Sequence, residues 1–343
     1  MKLLVHHIDD QELTIIINII AVYVDDILLA CSNPQTLFQI KTQIGVEFDV
    51  VDKGPIDHFL GMEITRGKER SISISQQQFI QNLLEKHDMV KTRKRSTPLD
   101  PGHKFTKCSG CPGCGSVDKA AYQSLIGSLL YVGVSTRPDI LHSVNKLSQF
   151  SVNPHTEHLT AAKHILRYLS NTINLKLTYR KTGGQLKGFA DADWAGGSDD
   201  RKSYTGYAFF IGDRNAAITW ESRKQASVAL SSTEAEYMAL SAASKEAVYL
   251  RTFIKELGFP GLVHEPTELN GDNLSSQQLV KNPVYHSRSK HIDIKVNYIR
   301  EVYQNNLIKL NYVPTDKMIS DILTKNLCKT KHVILTQMLG LSV

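Results

Sequence analysis

No stretch of this chain is both apolar and long enough to cross a bilayer. The nearest, Leu13–Val24, is interrupted by Thr14 and Asn18 and runs into two aspartates, so a buried strand is expected there. An N-terminal secretory pattern is missing as well. Cysteine is scarce: Cys31, Cys108, Cys111, Cys114 and Cys328 make an odd set of five, which argues against a disulfide framework. Cys108-x2-Cys111-x2-Cys114, with His103 upstream, could offer four zinc ligands, but two overlapping pairs would have to bend tightly around one ion. Gly110, Pro112 and Gly113 make a flexible loop the better reading. Internal repeats and low-complexity tracts are lacking, which excludes a solenoid.

What is present fits a globular chain. With 343 residues, 41% hydrophobic and 22% charged, it can build two or three domains with sizeable cores. The net charge of +6 is modest, yet basic residues cluster at Lys91, Arg93, Lys94 and Arg95, and at Arg288, Lys290 and Lys295. Such clusters suit a phosphate-bearing partner or an ordinary solvated face.

Periodicity divides the chain. Residues 1–30 read as two or three strands, and Leu37, Ile40 and Ile44 give Pro34–Ile44 a helical spacing. Phe48–Val51, His58–Ile64 and Ser71–Ile74 read as strands and Gln77–His87 as a helix. Ser96–Val117, punctuated by Pro and Gly, is the clearest linker, and helices follow over Tyr122–Val134, Asp139–Phe150 and Leu159–Ser170. From Leu186 the rhythm changes. Strands at Leu186–Ala190, Tyr204–Ile211 and Ala217–Ser222 precede a long helix, Ser232–Leu257, opened by the start signal Ser231-Ser232-Thr233-Glu234. Strands at Thr267–Asn270 and Leu307–Val313 and helices at Leu274–Val280, Asp293–Tyr303 and Ile319–Lys325 complete an α/β pattern, a mixed sheet with helices packed on it.

Carboxylates mark two places. Tyr23-Val24-Asp25-Asp26 sets an acidic pair where one strand turns into the next, a geometry that suits divalent metals. Farther on, Asp191 ends a strand, Glu234 opens the long helix, Asp272 follows a strand, and Asp321 starts the last helix. Four carboxylates in one cleft repel unless cations neutralise them, and hard oxygen ligands favour magnesium or manganese over zinc. A pair of such ions would activate water and stabilise the leaving oxygen of a phosphodiester.

Several runs resemble a known family. Gly188-Phe189-Ala190-Asp191-Ala192-Asp193-Trp194-Ala195-Gly196, Ser222-Arg223-Lys224-Gln225, Ala229–Tyr237, Asn282–Asp293 and Asp321-Ile322-Leu323-Thr324-Lys325 are similar to the ribonuclease H domain of copia-type LTR retrotransposon Pol polyproteins. Tyr23-Val24-Asp25-Asp26 and Phe59–Ile64 resemble the palm and primer grip of the same polyprotein's reverse transcriptase; Ser124–Leu129 and Thr136–Ile140 resemble its connecting region. The resemblance implies a partial reverse transcriptase palm and thumb over 1–95, a linker and helical connection over 96–185, and a ribonuclease H-like mixed five-stranded sheet with flanking helices over 186–343.

It further implies cleavage of RNA in RNA:DNA hybrids with Mg2+ or Mn2+ on Asp191, Glu234, Asp272 and Asp321, with Asp25 and Asp26 as remaining polymerase metal ligands. Asp193 is expected to support Asp191, and Glu236 to face elsewhere on its helix. Hybrids are read by backbone and 2′-hydroxyls, so Arg223, Lys224, Gln225, Asn273, Gln277, Arg288, Lys290 and His291 are the expected contacts. Trp194 is expected in the core. The family's further polymerase Asp and nucleotide-binding fingers have no counterpart before the hairpin, so autonomous DNA synthesis is not expected. The family's Lys-Gly-Thr after Arg167-Tyr168-Leu169 is Ser170-Asn171-Thr172 here, and the catalytic-loop His of cellular ribonucleases H has no counterpart beside Pro314-Thr315-Asp316. Expected partners are nucleic acid and other Pol-derived chains, with no membrane. The expected compartment is a cytoplasmic retroelement particle, with the nucleus as the alternative. A binding remnant without catalysis is the competing function.

Overall fold

The computed structural model describes residues 2–9, 15–103, 105, 117–196, 200–213, 215–281 and 293–343. An antiparallel sheet comes first, β1 (Lys2–Asp9), β2 (Ile15–Tyr23) and β3 (Asp26–Cys31), with β2 in the centre. The β2–β3 hairpin pairs Tyr23 with Asp26 across a two-residue turn, and Val24 takes φ 52°, costly for a β-branched side chain. Helix α1 (Pro34–Glu47) starts where Pro34 presets φ and Asn33 Oδ1 accepts from the N–H groups of Gln35 (2.8 Å) and Thr36 (3.2 Å). None of its residues is buried.

The stretch Phe48–Val51 forms no strand: it is exposed, and no neighbouring edge supplies partners for its backbone. Strands β4 (His58–Phe59), β5 (Met62–Arg66) and β6 (Ile72–Ser75) follow, then α2 (Gln77–Lys86). Helices α3 (Lys119–Ser135), α4 (Pro138–Ser148) and α5 (Thr156–Asn171) bury Tyr122, Leu129, Val132, Ile140, Ile165 and Leu169 together with Ile80 and Leu84 of α2. A strand the periodicity did not reveal, β7 (Lys176–Tyr179), then pairs with β6.

The third layer is β8 (Leu186–Asp193), β9 (Tyr204–Ile211), β10 (Thr219–Lys224), α6 (Ser232–Glu256), β11 (Thr267–Gly271), α7 (Leu274–Lys281), α8 (Asp293–Gln304) and β12 (Ile308–Tyr312). Its strand order is β10-β9-β8-β11-β12. β8 to β10 are antiparallel, and β11 runs parallel to both β8 and β12. This is the mixed five-stranded sheet expected of a ribonuclease H-like domain. Helix α6 covers one face through Ala235, Ala239, Leu240 and Ala243 packed on Ala190, Ala192, Phe209 and Leu269.

The other face is covered by elements that precede and follow the sheet in the chain. Leu141 of α4 meets Ala208, Phe210, Ile319, Leu323 and Leu335. The expected helix over Ile319–Lys325 is only a tight 3-10 turn, Ile319–Leu323; a separate helix, α9 (Lys329–Met338), comes after it. The chain then turns at Gly340 (φ 88°), and β13 (Leu341–Ser342) pairs with β7. The second sheet thus reads β13-β7-β6-β5-β4, closed by the last residues.

Candidate active site

Strand β8 carries Asp191 to the middle of the mixed sheet, where it is fully buried opposite Gly206 of β9. That glycine decides the site's architecture. A Cβ at 206 would stand 2.7 Å from Thr324 Cγ2, 2.8 Å from Leu323 Cβ and 3.1 Å from Ser320 O. Only a bare backbone lets the 319–325 turn lie against the sheet and bring Asp321, Thr324 and Lys325 to Asp191. The Thr324 hydroxyl donates to Asp191 Oδ2, and Lys325 Nζ lies 3.3 Å from the same oxygen and 2.7 Å from Asp321 Oδ1. Lys331 of α9 donates to Asp321 Oδ2 and, at 3.1 Å, to the Thr315 carbonyl. Thr315 in turn donates its hydroxyl to Asp272 Oδ2 at 2.7 Å, just past the end of β11. A continuous path of polar contacts therefore runs from Asp191 through Asp321 to Asp272.

The third acid is not Glu234. Asp191, Glu236 and Asp272 have carboxylate oxygens within 4.8 Å of one another, the candidate metal cluster among the described residues. Glu234 sits at the third helical position of α6, where its N–H donates to Ser231 Oγ (3.2 Å) and its Oε2 accepts from the Leu230 N–H (2.8 Å). The start signal that located the helix thus consumes this carboxylate as a cap. Two residues on, about 200° around the helix, Glu236 is buried toward the sheet, where the Ala192 backbone N–H favours its ionised form. The expectation of a ligand at Glu234, and of Glu236 facing away, is corrected accordingly. Asp321 lies beside the cluster, joined to Asp191 through Lys325.

Burial raises the Asp191 carboxyl to about 7, with Asp321 and Asp272 adding repulsion and Lys325 and Thr324 opposing. Burial likewise pushes Glu236 upward, and the neighbouring Asp191 and Asp272 push it further. Burial disfavours the Lys325 charge, but Asp191 and Asp321 outweigh it and hold the ammonium protonated. Asp193, mostly buried, is also raised by burial, with Lys325 opposing. Hard, mutually repelling oxygen donors at this spacing fit a divalent cation such as Mg2+ or Mn2+.

Other expected contacts divide by burial. Gln225 spends its amide inside the fold, on Thr205 Oγ1 (3.0 Å) and the Ala235 carbonyl (3.0 Å). Gln277 does so on the carbonyls of Gly271 (3.1 Å) and Asn311 (2.8 Å), and Asn273 accepts from the Ser276 N–H (2.8 Å). Gln225 and Gln277 thus turn their amide N–H groups into the fold, while Asn273, partly exposed, uses its side-chain oxygen at the start of α7. Arg223 is exposed beside Glu221, and Lys224 reaches Asp200 at 3.0 Å. Burial, and then the charges of Lys245 and Arg223, disfavour the Lys295 ammonium. Arg288, Lys290 and His291 lie outside the described residues, as do Cys108, Cys111 and Cys114. Trp194 is half exposed and donates its indole N–H to the Ala229 carbonyl (3.2 Å), so it is not the core residue expected. Asp25 and Asp26 stand exposed on their hairpin, and no further His, Cys, Asp or Glu among the described residues completes a metal group with them.

Residues 9–101 match a family described as reverse transcriptase (RNA-dependent DNA polymerase). The chain is 38% identical over 328 residues to a retrovirus-related Pol polyprotein from transposon TNT 1-94 of Nicotiana tabacum, covering 94% of this chain and 24% of that protein. It is 33% identical over 230 residues to a putative transposon Ty5-1 protein of Saccharomyces cerevisiae, covering 65% of this chain and 71% of that protein. The chain belongs to the copia-type retrotransposon Pol family.

It spans 20–24% of the length of the plant Pol polyproteins it matches. A solved structure of a foamy viral protease–reverse transcriptase in complex with double-stranded DNA is 15% identical, with TM-score 0.49, over 86% of this chain and 46% of that one. Among the described residues of this Pol chain, no helix is long and apolar enough to cross a membrane. The two lysines and two threonines around its acids escaped the sequence reading. Only Asp321–Lys325, an i,i+4 pair, left a readable signal.

Proposed function

We propose that this chain hydrolyses the RNA strand of RNA:DNA hybrids in a divalent-metal-dependent reaction. One observation carries the reading: Asp191 of β8, Glu236 of α6 and Asp272 just past β11 bring carboxylate oxygens within 4.8 Å of one another. These three residues would hold the cation, which when bound supplies Lewis acidity to the phosphodiester. The chain's own groups do the positioning. Thr324 orients Asp191 and Thr315 orients Asp272, while the Ala192 N–H favours the ionised form of Glu236. Water oxygen bonds to phosphorus while the bond to the ribose 3′ oxygen breaks, giving a 5′-phosphate and, after protonation, a 3′-hydroxyl. Arg223, Lys224, Lys245 and Lys295 supply positive charge for the hybrid's phosphates.

The test is magnesium-dependent cleavage of labelled hybrid. Glu236→Gln and Asp272→Asn should each lose at least about a hundredfold in rate, as removal of a metal-binding carboxylate costs several kcal/mol of transition-state stabilisation. Glu234→Ala should lose about 1 kcal/mol of stability from its cap and keep cleaving. Undiminished cleavage by Glu236→Gln overturns the reading. The alternative, hybrid binding without turnover, draws on the ammonium of Lys325 lying between Asp191 and Asp321. Its signature is salt-sensitive binding with no product in magnesium or manganese.

A further inference from the structure

The acids of the site are already half neutralised from within the chain. Lys325 Nζ lies 2.7 Å from Asp321 Oδ1 and 3.3 Å from Asp191 Oδ2, and Lys331 donates to Asp321 Oδ2. Both oxygens of Asp321 are therefore engaged, on a side chain only 1% exposed. Asp191 is held more loosely, by Lys325 alone, at 3.4 Å from Oδ1 and 3.3 Å from Oδ2, so this one ammonium bridges Asp191 and Asp321. With all four carboxylates ionised, as a bound cation would hold them, two ammonium charges leave two negative charges, the complement of one divalent cation.

From this we infer that Lys325 takes the electrostatic place of a second cation. The site binds one divalent ion on Asp191, Glu236 and Asp272, and Asp321 stays ion-paired to Lys325 and Lys331 until Lys325 yields. Lys325 is built for such a role. It follows the 319–323 turn by two residues, and its four-carbon stem is about one-third exposed, so the ammonium can swing to solvent without unpacking the core. Lys331 reaches away from Asp191 instead, to the Thr315 carbonyl at 3.1 Å, so only Lys325 bridges the two acids. The inference rests on the hydrolase reading and deepens it: an extended substrate whose phosphates draw Lys325 away would open the second position, coupling cation loading to occupancy by nucleic acid.

The test counts Mn2+ bound to the full chain without nucleic acid, by electron paramagnetic resonance of free Mn2+ and by calorimetry. Wild type should bind one Mn2+ tightly. Lys325→Met should bind two, the second about tenfold or more tighter than any second ion in wild type, since a like charge some 4 Å away is gone. Lys325→Arg, which keeps the charge, should behave as wild type. Lys331→Met, which frees Asp321 Oδ2, should shift the second ion in the same direction and decides the matter if Lys325→Met does not fold. Two tight ions in wild type, or unchanged count and affinity in Lys325→Met and Lys331→Met, overturn this inference while leaving the hydrolase reading standing. No Mn2+ bound to wild type, with Asp191→Asn indistinguishable from it, overturns both.

Discussion

Single residues set the protonation behaviour of this chain. His142 on α4 is buried, with its ring edge-to-face on Tyr204 at 4.8 Å between centroids. Burial, reinforced by Lys146, depresses its pKa to about 3. The unfolded chain takes up that proton near pH 6.5 and the folded chain does not, so stability is lost as pH falls below 6.5, by roughly 1.4 kcal/mol per unit from this group. His332 and His164 are depressed in the same direction, by burial first. His142→Phe keeps the ring and removes the proton site. Its urea-midpoint curve between pH 6.5 and 4 should be distinctly flatter than wild type, and a superimposable curve would show that the titration is carried elsewhere.

At the scale of elements, the placement of the 319–325 turn on β9 governs whether the acids meet at all. The sheet sequence alone makes β9 an ordinary apolar strand, and Gly206 within it reads as a weakness. Its role follows from the turn seated against it. Gly206→Ala must push back Leu323 Cβ and the Ser320 carbonyl, which are not flexible ends. The expected cost is about 1–3 kcal/mol in a denaturant titration, together with weaker Mn2+ binding as Asp191 loses Thr324. Helix α6 teaches the complementary lesson. Its amphipathic pattern and cap were legible, yet the same four residues invited the choice of Glu234 over Glu236. Which carboxylate faces the sheet depends on helix rotation against β8.

At the scale of the whole molecule, a buried polar knot joins the helical connection to the C-terminal helix. Arg137 reaches Asp139 through Nε (2.9 Å) and Nη2 (2.7 Å), and the Thr172 carbonyl at 3.0 Å. Tyr168 donates to Asp139 Oδ2 at 2.6 Å, and His332 of α9 contacts the Asp139 carbonyl at 3.2 Å. Removing one partner leaves a buried charge unpaired, so Arg137→Met should destabilise by about 3–5 kcal/mol, far more than the loss of an exposed pair. The double replacement Arg137→Met with Asp139→Leu should recover much of that loss; a double variant no more stable than the single one would mean that the knot's geometry matters beyond its charge. With β13 paired to β7, this knot makes the connection and the ribonuclease H-like sheet one packed unit, though the expected boundary at residues 185/186 divides them by sequence pattern.

Strand alternation, helix periodicity and the spacing of the acids were enough to find the mixed sheet, most of its helices, and Asp191 and Asp272. These are local signals, written in residues two to four apart. Tertiary structure alone decided that Glu236 joins the acid cluster, that Lys331 reaches Asp321 and Lys325 reaches Asp191, and that Gln225 and Gln277 turn their amides into the fold. It alone decided that the chain's last strand closes a sheet begun at His58. Each of those outcomes depends on which surfaces meet after the chain folds back on itself, and a contact such as Thr324 with Asp191, 133 positions apart, leaves no period in the sequence to read.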